Sequence, residues 1–411
     1  MSDIDAGREK KKLMSAKKMR DIMTTYYIEA KSAEQNGKKV AWITSGGPVE
    51  PLIAMDVIPV YPENHGAMIG ASKMGGEFCE KAETLGYSID LCSYARADIG
   101  CSIVGGGPVG GLPRPDMLIC CNNICGTVMK WYEIQARYYD VPLFIFDTPF
   151  CHAGYHDEVK TYVRRQIDEY ILFLEGLCGK SFDLDRMEEV GRLSVEAQKL
   201  WQAVLDTARN RPSPMTCFDA FFFLALIVTL RGTQVTVDFY RELLAEMEER
   251  AAAGIGAVPR ERYRLLWDNL PIWYRIKWLS DAFASHDASL VADTYTSAWC
   301  GQLKYMDENN FLDSMAEGYT RIYLNIGVDE MIAIILEMID RYDVDGFVMH
   351  SNRSCKPYSL GQYDIQRAVQ RERGLPSMII ESHMVDDRSF SESQAETRID
   401  AFMEVIKERK K

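Results

Sequence analysis

No stretch of this chain approaches the roughly 20 consecutive apolar residues that a bilayer-spanning helix needs. The apolar run Ala220 to Leu230 is about half that length and reads as the filling of a helical core. The first residues, with Asp3, Asp5, Arg8, Lys10, Lys11 and Lys12, contain no apolar stretch of the kind a secretory signal carries. There is no Gly-x-x-x-x-Gly-Lys-[Ser/Thr] loop, so no phosphate cradle of that type is expected. Positive charge is short as well: 47 Lys and Arg stand against 60 Asp and Glu, a formal net charge of -13, which argues against a general nucleic-acid surface. No convincing short-period repeat is present. What remains is a chain expected in the cytoplasm, where its 11 cysteines stay reduced and do not form a disulfide framework.

With 411 residues, 47% of them apolar, the chain can build large cores, and two or three domains are expected. Residues 1–37 are charged and helix-prone and read as a leading helix that wraps a neighbour. Over 38–157 the pattern alternates. Val40–Thr44, Val57–Tyr61, Met117–Cys121 and Pro142–Phe146 read as strands, with an amphipathic helix over Val128–Tyr139. Pro48, after Ser45-Gly46-Gly47, suits the first turn of a helix. Residues 158–256 are helical, with a break at Pro212-Ser213-Pro214. The alternation resumes over 257–411, with strands at Ser289–Asp293, Gly346–His350 and Met378–Glu381 and helices at Asp329–Tyr342, Ser359–Arg373 and Glu392–Lys410. Strand, helix, strand at this spacing predicts an α/β fold: two parallel-sheet, Rossmann-like lobes with a helical segment between them. Ligands of such sheets bind beyond the carboxyl ends of the strands, where Ser45, Cys125 and Asp147 fall.

Three cysteines sit in small polar loops near such strand ends: Cys92 in Leu91-Cys92-Ser93-Tyr94, Cys125 in Cys121-Asn122-Asn123-Ile124-Cys125, and Cys355 in Asn352-Arg353-Ser354-Cys355. Soft thiolates at helix entrances in both halves of a chain point to an iron–sulfur cluster at the lobe interface, and no fourth cysteine of the same kind is evident. By spacing alone the same residues read equally as small buried hydrophobes, and thiolates also suit zinc. Cys120 and Cys121 end a strand and read as packing, with Cys121 a reserve ligand beside Cys125.

Several blocks occur together and in order: Tyr61-Pro62-Glu63-Asn64, Gly86-Tyr87-Ser88-Ile89-Asp90-Leu91-Cys92, the Cys121–Cys125 loop, Lys130-Trp131-Tyr132-Glu133, Arg211-Pro212-Ser213-Pro214 and Asn352-Arg353-Ser354-Cys355. Through them the chain resembles a cluster-bearing subunit of the 2-hydroxyacyl-CoA dehydratases, a family that includes the ATP-dependent benzoyl-CoA reductases. The resemblance implies that Cys92, Cys125 and Cys355 ligate a 4Fe-4S cluster with one non-cysteine iron site, which accepts the thioester carbonyl oxygen. It also implies an acyl-CoA substrate, a homologous second dehydratase subunit and a separate ATP-hydrolysing iron–sulfur activator protein. Loss of water from a 2-hydroxyacyl thioester removes a proton from C3, which the thioester does not acidify. Acid–base tuning, worth about two to four powers of ten, is too small for that. In the implied chemistry one electron makes a ketyl radical, which expels the 2-hydroxyl and leaves an enoxy radical with an acidic C3–H. The electron is then recovered.

Ser45 and Glu63 are the candidate catalytic residues. The Ser45 hydroxyl suits hydrogen bonding to the departing hydroxyl, or a cap on the helix begun by Pro48. Glu63, on a strand-end loop, suits proton shuttling, with His65 nearby; its bland counterpart is a solvated charge at a helix start. Tyr94, Arg96, Asn122, Asn123 and Asn352 read mainly as loop builders beside the ligands, and Arg353 as a candidate for CoA phosphates or cluster charge. Three rivals stand beside the dehydratase: a benzoyl-CoA reductase subunit, a double-cubane cluster reductase, and a scaffold whose cysteines bind zinc or nothing.

Overall fold

The computed structural model describes residues 13–411, so the charged segment from Asp3 to Lys12 lies outside the described residues. Helix α1 (Met14–Lys31) leads into β1 (Val40–Ile43), α2 (Glu50–Ala54), β2 (Ile58–Val60), α3 (Pro62–Ala71), α4 (Gly75–Thr84) and α5 (Ser93–Val104). Strand β3 (Met117–Cys121), α6 (Gly126–Tyr139) and β4 (Leu143–Phe146) complete the first α/β unit. Five helices follow: α7 (Asp157–Cys178), α8 (Leu184–Asp206), α9 (Cys217–Phe223), α10 (Ala225–Thr229) and α11 (Gln234–Ala252). The second unit runs β5 (Tyr263–Asp268), α12 (Ile276–Ala284), β6 (Ala288–Asp293), α13 (Thr294–Ser297), α14 (Phe311–Thr320), α15 (Val328–Tyr342), β7 (Gly346–Asn352), α16 (Lys356–Ser359), α17 (Gln362–Arg373), β8 (Ser377–Ser382) and α18 (Glu392–Arg409).

The strands form two four-stranded parallel sheets, ordered β2-β1-β3-β4 and β6-β5-β7-β8. The two orders are the same: in each sheet the first strand pairs with the second on one side and the third on the other. Central strand β3, Met117–Cys121, covered on both faces, is apolar throughout, and all five of its residues are buried. Strand β8, at an edge, alternates between buried and more open positions. Helix α1 turns Met19, Tyr26, Tyr27 and Ala30 inward onto its own chain, where Tyr26 Oη donates to the Pro59 carbonyl at 2.7 Å and Lys18 pairs with Glu242 at 2.6 Å. Its neighbour is thus the helical segment of the same protein.

Two sequence expectations need correction. Strand β5, central in its sheet, was not foreseen, because it carries Arg264 in a run that reads as amphipathic. That guanidinium is nonetheless 1% exposed: Nε donates to the Tyr342 carbonyl at 2.7 Å, Nη2 to the Ala208 carbonyl at 2.6 Å, and Nη1 pairs with Glu261 at 2.5 Å. Fully paired, the charge is tolerated inside. The helix expected at Pro48 begins at Glu50 instead, with Val49 at its N-cap and no side-chain cap. Ser45 therefore does not cap it. The Ala220–Leu230 run does fill a core, as two short helices rather than one; α9 starts at a reciprocal capping box between Thr216 and Asp219, just after the Pro212–Pro214 break.

Candidate functional site

In a sheet of this order, neighbouring connections leave the central pair of strands in opposite directions, which opens a crevice at their carboxyl ends. The first sheet brings Ser45, after β1, and Cys125, after β3, to that crevice. The second brings Leu270, after β5, and Cys355, after β7. All four line one cavity of about 140 Å³, and Cys92, at the start of α5, joins them. Seven of the cysteines are buried, whereas Cys92, Cys125, Cys355 and the distant Cys178 are half-exposed. Cys121 is 0% exposed in the packed core and does not line the cavity, as befits the end of a strand.

Each of the three cysteines is the N-cap residue of a helix, without a cap hydrogen bond from its thiol, and the helix's first N–H groups, those of Ala95 and Tyr94 at Cys92, Val128 and Thr127 at Cys125 and Tyr358 at Cys355, pull the thiol pKa down. These donors favour thiolates. Burial outweighs them, raising all three pKa values, that of Cys92 to about 12; Cys125 adds to the rise at Cys92, Cys92 and Cys125 add to it at Cys355, and Glu63 adds to it at Cys125. A cationic centre among them would reverse that balance, since a coordinated thiol gives up its proton. The surroundings also hold unspent polar groups: Ser93 Oγ, next to Cys92, and both amide atoms of Asn352, in the Cys355 turn, are buried without a partner. Three inward thiols with donors to spare fit an iron–sulfur core with three cysteine ligands. Among the described residues no three His, Cys, Asp or Glu side chains stand close enough to hold a single metal ion, which fits zinc poorly.

Ser45 and Glu63 face the same cavity. Glu63, in the first turn of α3, accepts the Ser45 N–H at 3.1 Å and the Ser45 hydroxyl at 3.5 Å on Oε1, and the Tyr132 hydroxyl at 3.1 Å on Oε2. Burial still pushes its pKa from 4.5 to about 7. A carboxyl poised there can give and take a proton near neutrality. The loop carrying Ser45 is fixed from beneath. Buried Glu50 accepts from Ser194 at 2.6 Å and Tyr319 at 2.5 Å, Arg231 donates to the Gly47 carbonyl at 2.7 Å, and Asn123 to the Gly46 carbonyl at 2.8 Å. Gly46 is required by crowding, since a Cβ there would lie 2.6 Å from Ile124.

The two α/β units are tied together beside the thiols. The Ser93 N–H donates to Ser354 Oγ at 3.2 Å, and that oxygen lies 3.2 Å from His383 Nδ1. Arg96, fully buried one turn after Cys92, pairs with Asp386 at 3.0 Å and Glu83 at 2.5 Å, and Arg388 bridges the same two carboxylates. Asn122 instead closes its own loop, bonding Asp147 and Thr148. Arg353 does not reach the site: half-exposed, it pairs with Glu381 at 2.8 Å. His65 is 1% exposed, its Nε2 lies 3.3 Å from the Pro108 carbonyl, and it does not line the cavity.

A family model described as 2-hydroxyglutaryl-CoA dehydratase, D-component, matches residues 44–406, nearly the whole chain. The chain belongs to this family. It is 38% identical to the (R)-2-hydroxyisocaproyl-CoA dehydratase alpha subunit of Clostridioides difficile, over 95% of this chain and 96% of that one. It is 32% identical to the (R)-phenyllactyl-CoA dehydratase alpha subunit of Clostridium sporogenes, over 98% of each chain. The lactoyl-CoA dehydratase alpha subunit of Anaerotignum propionicum is also 32% identical, over 92% of this chain and 93% of that one. As a member of this dehydratase family the chain is an enzyme subunit of the hydro-lyase class. No described helix is long and apolar enough to cross a membrane.

Sequence reasoning missed several residues of this dehydratase-family site. Tyr132 was visible only as part of a block, yet its hydroxyl reaches Glu63. Tyr295, Trp299, Tyr323 and Tyr358 wall the cavity. Aromatic residues in helical stretches read as core by default, and only the position of Tyr358, three residues after Cys355, offered a signal.

Proposed function

We propose that this chain is the cluster-bearing subunit of a 2-hydroxyacyl-CoA dehydratase that converts an (R)-2-hydroxyacyl-CoA to the 2-enoyl-CoA, working with a second subunit and an ATP-hydrolysing iron–sulfur activator. The observation that carries this reading is the convergence of three partly buried thiols at helix N-termini with the Ser45–Glu63 pair on one cavity. Cys92, Cys125 and Cys355 would hold a 4Fe-4S cluster, which when bound supplies single-electron transfer and one iron position free of cysteine. The alpha-subunit names of the relatives support a partner chain, and the missing phosphate loop supports an activator on another protein.

The chain's own residues account for the protons. Protonated Glu63 gives the proton on its carboxyl oxygen to the departing 2-hydroxyl, which leaves as water. The resulting carboxylate takes the C3 proton and returns to its starting state, so protons balance over one turnover. Ser45 Oγ holds the 2-hydroxyl in line, and Tyr132 Oη, donating to Oε2, keeps the carboxyl oriented. The aromatic walls exclude water from the site. The test is anaerobic assembly with the partner subunit and activator, followed by product analysis on 2-hydroxyacyl-CoA and on benzoyl-CoA. Enoyl-CoA formation, with a loss in kcat of about a hundredfold or more in Glu63→Gln, is expected. Ring reduction of benzoyl-CoA without dehydration would transfer the chain to the reductase branch.

A further inference from the structure

A second cavity, of about 970 Å³, abuts the thiol-lined one and shares Ser45, Glu63 and Tyr295 with it. The thiols line only the smaller cavity, so a substrate whose reacting carbons lie at Ser45 and Glu63 must place its remainder in the larger one. The walls there are largely apolar and come from four separate regions: Met19 and Met23 on α1, Met68 on α3, Phe221 and Phe222 on α9, and Trp273 before α12. Phe221 packs its ring against Trp273 and Tyr295, with centroids 6.3 Å and 6.2 Å away, which makes the part nearest the reacting carbons aromatic. The cations of the lining stand apart. Arg20 and Lys73 are exposed, Lys277 is exposed and pairs with Asp281, and Arg275 pairs with Glu392 and lies over the Phe390 ring.

We propose that this cavity receives the acyl side chain, and that the substrate class is a 2-hydroxyacyl thioester with a branched aliphatic or aryl side chain. This rests on the dehydratase reading. A side chain ending in a carboxylate would be desolvated among Met, Phe and Trp beside the buried Glu63 carboxyl, the lining cations being exposed or, in Arg275, already paired with Glu392, whereas an apolar group gains from the same burial. A methyl side chain would leave most of the wall unused. The volume beyond the side chain leaves room for the carrier arm, which would run toward Arg20 and Lys73 at the mouth.

The test uses the complete enzyme with partner subunit and activator, given (R)-2-hydroxyacyl-CoA thioesters with isobutyl, benzyl, methyl and carboxyethyl side chains. The isobutyl and benzyl substrates should exceed the carboxyethyl one by roughly a hundredfold or more in kcat/KM. Fastest turnover of the methyl or carboxyethyl substrate overturns the proposal and leaves the dehydratase reading intact. Turnover of none of them sinks that reading, and calorimetric binding of the saturated thioesters then decides the cavity. Apolar chains should bind tighter than the carboxylate, and Met68→Glu should weaken them by roughly tenfold. Equal affinities, or no effect of the charge, overturn it. Iron content and melting temperature report whether Met68→Glu folds; if it does not, Phe222→Glu replaces it at a position 41% exposed.

Discussion

Replacing Glu63 by Gln should make the protein less sensitive to alkali in its folding equilibrium, an effect separable from catalysis. A carboxyl whose pKa rises on folding favours the folded state while it is protonated. That contribution is complete below 4.5 and is lost as pH rises through about 7. The rise from 4.5 to about 7 corresponds to roughly 3 kcal/mol of penalty once Glu63 is ionised. Most of it accrues between about pH 5 and pH 8, where the loss should be roughly 2–3 kcal/mol. Gln is neutral, close to Glu in shape, and its carbonyl can still accept the Ser45 N–H. The variant should therefore lose that much less stability over the interval, while Asp268 and Asp293, whose pKa values are also raised by burial, titrate alike in both proteins. The measurement is urea unfolding of iron-free protein at both pH values, followed by far-ultraviolet circular dichroism. Parallel losses, equal within about half a kcal/mol, would mean that Glu63 is already ionised in the fold, and the proton-shuttle argument would go with it.

Six other substitutions probe the site and its supports. Cys92→Ser, Cys125→Ser and Cys355→Ser should each lower iron and labile sulfide in anaerobically purified protein, whereas Cys121→Ala should retain both; equal retention by all four would remove the ligand assignment. Asp386→Ala strips a partner from fully buried Arg96, so it should cost about 3 kcal/mol in unfolding free energy and hasten iron loss on exposure to air, read by visible absorbance. Gly66→Ala would place a Cβ 2.5 Å from the ring of Tyr94, whose hydroxyl accepts from the Trp273 indole N–H. A loss of about 2 kcal/mol is expected, with altered tryptophan fluorescence as the ring pair shifts.

Periodicity and punctuation are local properties, and they carried seven of the eight strands and the helical segment between the α/β units. Strand β5 escaped because the propensity of a charged residue opposes a central strand. Arg264 sits there only because three carbonyls from distant parts of the chain, and Glu261 three residues before it, meet it. The candidate site was legible for the same kind of reason. Cys92, Cys125 and Cys355 each precede a helix, and Ser45 and Glu63 follow strands, so their local frames were written in neighbouring residues. What these five share was not, because their convergence depends on the two α/β units meeting through the Ser93–Ser354 and Arg96–Asp386 contacts.

Cys121 and Cys125 state the distinction most plainly. They are four residues apart in a polar loop, yet one is sealed in a core and the other opens onto the cavity. Composition and sequence order determined on their own that this is an α/β chain with thiols at helix entrances. Which thiols face one another, which carboxyl loses its water, and which aromatic rings form a cavity wall were decided by tertiary packing. Burial and proximity are sums over residues far apart in the chain, and no window of sequence contains them.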